Sequence, residues 1–157
     1  MTMHAIMPKG PVVPVVVIEH VSQAMPLADG GINVIENTLR SDAALDYIAA
    51  IASQRPQMTV GVGTVLTPAQ MQAAKGSGAA FALSPGAYPD LIKASAASDL
   101  PLLPGAATAS EMMAMMAAGF IEMKYSPAAI AGGIDHLRAV ASLLANAVFC
   151  HTGGISA

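Results

Sequence analysis

Of the four lysines in this chain, Lys124 alone sits inside an apolar, strand-like run, Phe120-Ile121-Glu122-Met123-Lys124-Tyr125-Ser126-Pro127, away from helix faces and the N-terminus. An ammonium held among apolar side chains loses hydration, which raises the neutral fraction able to attack a carbonyl and form a Schiff base. A lysine in such a run has a simpler alternative, with its stem on the core and its head reaching to water. The chemical reading draws on a second run, Val34-Ile35-Glu36-Asn37-Thr38-Leu39-Arg40. Strand alternation puts Glu36, Thr38 and Arg40 on one face, with Asn37 and Leu39 on the other. Lys124 would form the iminium, and Glu36 would move protons on and off the adjacent carbon and its hydroxyl. Arg40 would hold an anionic group of the substrate by bidentate hydrogen bonds. A carboxylate flanked by Ile35 in an apolar strand is rarely left unpaired without a function. The alternative is that Glu36 and Arg40, four residues apart at a strand-to-helix junction, pair with each other at the rim.

These residues need a frame that brings them together. Short β-rich apolar runs alternate with Ala/Met/Leu segments of helical period, and no linker interrupts them. The patterns predict strands over 12–18, 32–39, 58–66, 80–84, 101–104, 120–125 and 148–151. They predict helices over 21–28, 42–54, 68–75, 89–97, 110–118 and 134–145. Such a βα repeat either closes as a barrel or opens as a doubly wound sheet. No GxGxxG or GxxxxGK[ST] loop follows any of these strands, and Gly61-Val62-Gly63 lies within one. Polar residues instead gather toward the C-terminal strand ends: Glu36, Thr38 and Arg40, then Thr64, Ser84, Lys124 and Thr152. That is where a (β/α)₈ TIM barrel builds its site.

Composition narrows the partners. A chain of 157 residues, 54% hydrophobic and 11% charged, fits one α/β domain over 1–157 whose strands are buried on both faces. Its formal charge of -3 and seven scattered Lys and Arg residues form no basic patch for nucleic acid and no polybasic membrane anchor. A single cysteine, Cys150, excludes an intrachain disulfide framework and fits a reducing, cytoplasmic compartment. The N-terminus lacks the pattern of a secretory signal. The uncharged stretch 139–157 includes Asn146, His151, Thr152, Gly153 and Gly154, which a spanning helix would have to bury in hydrocarbon.

Six ordered motifs add a family resemblance: Gly10-Pro11-Val12-Val13-Pro14-Val15, Val34 to Arg40, Gly61-Val62-Gly63-Thr64-Val65-Leu66, Ser84-Pro85-Gly86, Pro104-Gly105, and Phe149-Cys150-His151-Thr152-Gly153-Gly154-Ile155-Ser156. Together they resemble the 2-keto-3-deoxy-6-phosphogluconate (KDPG) aldolases, which are similar to 4-hydroxy-2-oxoglutarate aldolase, and the likeness runs from Gly10 onward. It implies a class I aldolase without metal or cofactor, cleaving a 2-keto-3-deoxy-6-phospho sugar acid to pyruvate and glyceraldehyde 3-phosphate in the Entner-Doudoroff pathway, as a homotrimer of barrels. By that resemblance Lys124 matches the Schiff-base lysine and Glu36 the general acid/base. Arg40, Thr64, Pro85 and Thr152 match positions lining the substrate site, and Gly153 and Gly154 match part of the phosphate site.

Several positions depart from the family pattern. Ser126 replaces an aromatic residue beside the lysine, which implies a wetter pocket. His151 stands in place of a proline, as a titrating group near the phosphate or as a hydrogen-bonded rim residue. Asn37 stands where the family has valine, and the helix before Gly30-Gly31 is short. The sequence ends after the seventh predicted strand, so an eighth strand-helix unit is absent and the phosphate site would lack the half it supplies. Two alternatives stand beside this assignment. One is a non-catalytic assembly module using Met112, Met113, Met115 and Met116 at a subunit interface, although methionines at this spacing also serve simply as core filler. The other is a 2-keto-3-deoxy-6-phosphogalactonate aldolase, which shares the lysine and glutamate but tends to lack an arginine matching Arg40.

Overall fold

The structure is a computed structural model that describes residues 3–10 and 12–154. Pro11, Ile155 and Ser156 of the motifs above, and Ala157, lie outside the described residues. Among the described residues eight short strands follow one another: β1 (Val15–Val16), β2 (Val34–Thr38), β3 (Thr59–Gly63), β4 (Phe81–Leu83), β5 (Leu102–Leu103), β6 (Gly105–Ala106), β7 (Glu122–Tyr125) and β8 (Val148–His151). The helices are α1 (Met3–Ile6), α2 (Met25–Asp29), α3 (Ala44–Gln54), α4 (Pro68–Gly76), α5 (Pro89–Ala96), α6 (Ala109–Ala117) and α7 (Gly133–Leu143). Every strand pairing is parallel, in the orders β1-β2-β3-β4-β5 and β6-β7-β8. This is the βα-barrel architecture the alternating pattern predicts. It is not closed: among the described residues, β1 and β8 each have one hydrogen-bonded neighbour.

The elements stand where local chemistry favours them. Thr67 and Thr108 cap α4 and α6 in reciprocal capping boxes with Gln70 and Glu111, and proline opens α4 and α5. The expected 148–151 strand is found unchanged. The first strand shrinks from 12–18 to Val15–Val16, and the helix over 21–28 divides into a 3₁₀ turn, Val21–Gln23, and α2, whose first turn carries Pro26. The third strand stops at Gly63 because Thr64 turns to φ 62. The strand expected over 101–104 instead runs on to Ala106 and breaks at Pro104, which has no N–H for a ladder. Leu102–Leu103 pairs with β4, the Pro104 carbonyl accepts from the Lys124 backbone N–H at 2.8 Å, and Gly105–Ala106 pairs with β7. One barrel position thus hands the chain from one set of strands to the other.

Alternation sorts the strand residues into two layers. Ile35, Val60, Val62, Ala82 and Leu102 face outward and pack with Ile48, Ile51, Met71 and Leu91 of the helices. Met123 and Tyr125 do the same against Met112, Met115, Leu137 and Val140. Met112 and Met115 are therefore core filler, whereas Met113 is exposed. Val34, Phe81, Leu83 and Leu103 face inward, where α1 folds back to seat Met3 and Ile6 against them.

Candidate active site

Lys124 on β7 and Glu36 on β2, 88 residues apart, meet inside the barrel with Nζ and Oε1 3.3 Å apart. Lys124 is 8% exposed and Glu36 2%, so the lysine does not extend to water. Nor does Glu36 pair with Arg40. Arg40 is exposed, and its guanidinium has no hydrogen-bond or ion-pair partner among the described residues. Asn37, on the opposite face, has structural work: its Oδ1 accepts from the Ile18 N–H at 3.0 Å and its Nδ2 donates to the Ala44 carbonyl at 3.3 Å. It ties β2 to the chain on either side.

The pair opens on a cavity of about 470 Å³. Cys150, His151 and Thr152 line the same end, Phe81, Leu83, Leu103 and Phe149 form apolar walls, and Met3, Ile6 and Met7 contribute from the N-terminal segment. Cys150 stands directly beside Lys124 in the β7–β8 register. Burial pushes its thiol pKa up, the Lys124 charge pulls it down, and the Glu36 charge raises it again. Cys150 and the N-terminal wall were not among the residues predicted to form the site. The Met3, Ile6, Met7 spacing is the signal that carries the N-terminal wall, whereas Cys150 is placed by its register with Lys124, which depends on the pairing of β7 with β8.

The chain after Lys124 is stitched to the end of β8. The Thr152 N–H donates to the Tyr125 carbonyl at 3.0 Å, and the Ala128 and Ala129 N–H groups donate to the Thr152 and Gly153 carbonyls at 2.8 and 3.0 Å. The buried Tyr125 hydroxyl donates to the Ala131 carbonyl at 2.8 Å and lies 2.7 Å from His136 Nδ1. With its one proton given to Ala131, it receives the Nδ1–H of His136. Burial holds the Tyr125 pKa above the usual phenol value.

The remaining site residues predicted from sequence are not among those lining this cavity. Thr64 is half-buried in the left-handed region, strained for a β-branched residue. Pro85 is exposed, and its carbonyl occupies the space a side chain on Gly105 would need. Gly153 and Gly154 are exposed at φ 95 and 73, with Gly154 in a second hollow beside His151 and Tyr125. Ser126 is half-buried outside both lining sets.

Among the described residues no three or more His, Cys, Asp or Glu side chains gather as they would around a metal ion. None of the described helices is long and apolar enough to cross a membrane. A parallel βα barrel that buries a lysine against a carboxylate has the equipment of an aldolase-type lyase. Comparison with known proteins makes the class specific. A family model described as KDPG and KHG aldolase matches residues 3–157. The KHG/KDPG aldolase of Escherichia coli (strain K12) is 44% identical over 156 residues, a match covering 97% of this chain and 73% of that one. A Legionella pneumophila KDPG aldolase, solved with pyruvate captured at low pH as a covalent carbinolamine intermediate, superposes with a TM-score of 0.91 at 41% identity, covering 96% of this chain and 75% of that one. The 2-keto-3-deoxy-6-phosphogluconate aldolase of Zymomonas mobilis ATCC 29191 gives 0.93 at 39%, covering 99% and 77%. The chain belongs to the KDPG and KHG aldolase family of lyases.

Proposed function

We propose that this chain cleaves 2-keto-3-deoxy-6-phosphogluconate to pyruvate and glyceraldehyde 3-phosphate, and 4-hydroxy-2-oxoglutarate in the same way, through an imine on Lys124. The observation that carries it is the Lys124 Nζ–Glu36 Oε1 approach of 3.3 Å in a largely apolar cavity. The neutral amine adds to the C2 carbonyl and water leaves, giving the iminium. Glu36 takes the proton of the C4 hydroxyl. The C3–C4 bond breaks, its electrons move into the iminium to form the enamine, and the aldehyde departs. The protonated Glu36 then returns its proton to C3, and water hydrolyses the pyruvate imine to free the lysine. The iminium itself is the electron sink, so neither metal nor organic cofactor is required.

Arg40, Thr64, Pro85 and Thr152 bind the substrate, Arg40 through an anionic group, and Gly153 and Gly154 take part of the phosphate. The left-handed backbone of those two glycines, free of side chains, supports that role. The covalent pyruvate adduct of the Legionella relative supports the imine. The chain works as one domain in a cytoplasmic homotrimer of the Entner-Doudoroff route, without nucleic acid or membrane partners. Exposed Met113, Ile130 and Leu143 supply apolar surface for the subunit contacts. Pyruvate with borohydride should label Lys124 once, and Lys124→Met should abolish the label. Glu36→Gln should keep the label but slow deuterium exchange into the pyruvate methyl group by about 10²-fold or more. A label on Lys75 or Lys93, or none, would refute the imine.

A further inference from the structure

Glu36 reaches Lys124 across a strand that offers no side chains to the barrel interior beside it. Gly61 and Gly63 of β3 occupy the inward positions, in register with Glu36 and Thr38, while Val60 and Val62 point outward into the helix-packed core. Neither glycine lies at positive φ, so backbone conformation does not demand them. Space does. A Cβ on Gly63 would overlap Glu36 Oε1, the oxygen that faces Lys124, and would stand 2.7 Å from the carboxylate Cδ and from Cγ. A Cβ on Gly61 would instead strike the ring of Phe81.

We infer that Gly63 is a positioning residue for Glu36: its missing side chain is the seat in which the carboxylate lies within reach of Lys124. The inference rests on the imine reading above and adds to it a residue that touches no substrate. The obstacle a methyl group would meet decides what each substitution does. At Gly63 the nearest atoms it meets, Oε1, Cδ and Cγ, all belong to the flexible Glu36 side chain, which turns to make room while the backbone stays in place. Contact at an ordinary van der Waals distance of 3.4–4 Å requires the carboxylate to shift on the order of an ångström out of the position in which it meets Lys124. Gly63→Ala therefore separates carrying the imine from moving its protons.

The test uses the whole chain and pyruvate. Gly63→Ala should form the borohydride-trapped Lys124 adduct as the parent protein does, while methyl deuterium exchange falls about 10²-fold, the usual weight of an acid/base group. If Gly63 acts only through the carboxylate, adding Gly63→Ala to Glu36→Gln should slow exchange no further. Exchange at the parent rate would overturn the inference. So would additive losses in the double variant, or loss of the adduct together with exchange, which would make Gly63 a residue of the fold. Failure of the parent protein itself to trap pyruvate would refute the imine reading instead. A crystal structure of Gly63→Ala would still decide the geometry: the carboxylate displaced from Lys124 upholds the seat, and a carboxylate left in place refutes it.

Discussion

Replacing Lys124 by methionine should cost this protein more stability than replacing the whole ion pair. Nζ and Oε1 lie 3.3 Å apart with side chains 10% and 3% exposed. At an effective dielectric constant of about 20 their attraction is roughly 5 kcal/mol, and desolvating each ion costs several kcal/mol, so the intact pair contributes little net. Removing the ammonium alone leaves the Glu36 carboxylate facing Gly61 and Gly63, which carry no side chain to neutralise it. A buried charge stranded this way typically costs about 3–5 kcal/mol, and Lys124→Met should lie in that range. The double variant Lys124→Met/Glu36→Gln removes both charges and should be more stable than Lys124→Met alone. Urea unfolding of the parent, both single variants and the double variant at pH 7, followed by circular dichroism, measures the coupling. A Lys124→Met cost below about 1 kcal/mol, or losses that simply add, would mean that the two side chains do not share a dry site.

Cys150 should react with iodoacetamide more slowly than in the urea-unfolded chain, because its raised pKa keeps it a thiol near neutrality; the rate should climb only as the pH passes above the usual thiol range, and equal rates in the folded and unfolded chains would contradict its burial. Thr108→Ala should cost about 1 kcal/mol in urea unfolding by removing the α6 cap. Its partner Glu111 accepts from the Ala107 and Thr108 N–H groups, which depress its pKa. The Thr108 hydroxyl donates to the same carboxylate at 3.0 Å and lowers its pKa further; that share of the stabilisation is full above the unfolded carboxylate pKa, fades as pH falls through the folded value and is lost in Thr108→Ala, which should therefore cost less in acid than at pH 7. Gly61→Ala should lower Tm, at a cost of about 1–3 kcal/mol, because Phe81 is packed in the interior cluster and cannot swing aside; a Tm equal to that of Gly63→Ala would contradict this.

Much of this was legible along the chain. Period-two runs and helical periods marked the parallel βα order, and the apolar flanks of Lys124 and Glu36 marked both as unusual charges. The break at Pro104 was less so, since which neighbour takes each half of that strand depends on hydrogen bonds to β4 and β7, and neither is written in residues 101–106. The fold-back of α1 escaped for a related reason: a four-residue helix has almost no stability of its own and exists because Met3 and Ile6 find the barrel interior. Partner choice separated the two levels most clearly. The sequence offered Glu36 a distant lysine at Lys124 as its partner in chemistry, with a nearby arginine at Arg40 as the alternative partner at the rim. Periodicity determined that Glu36 shares a face with Thr38 and not with Asn37, because alternate strand residues must face opposite ways. Only the parallel stacking of strands from distant parts of the chain brought β7 within 3.3 Å of that carboxylate and left Arg40 in water.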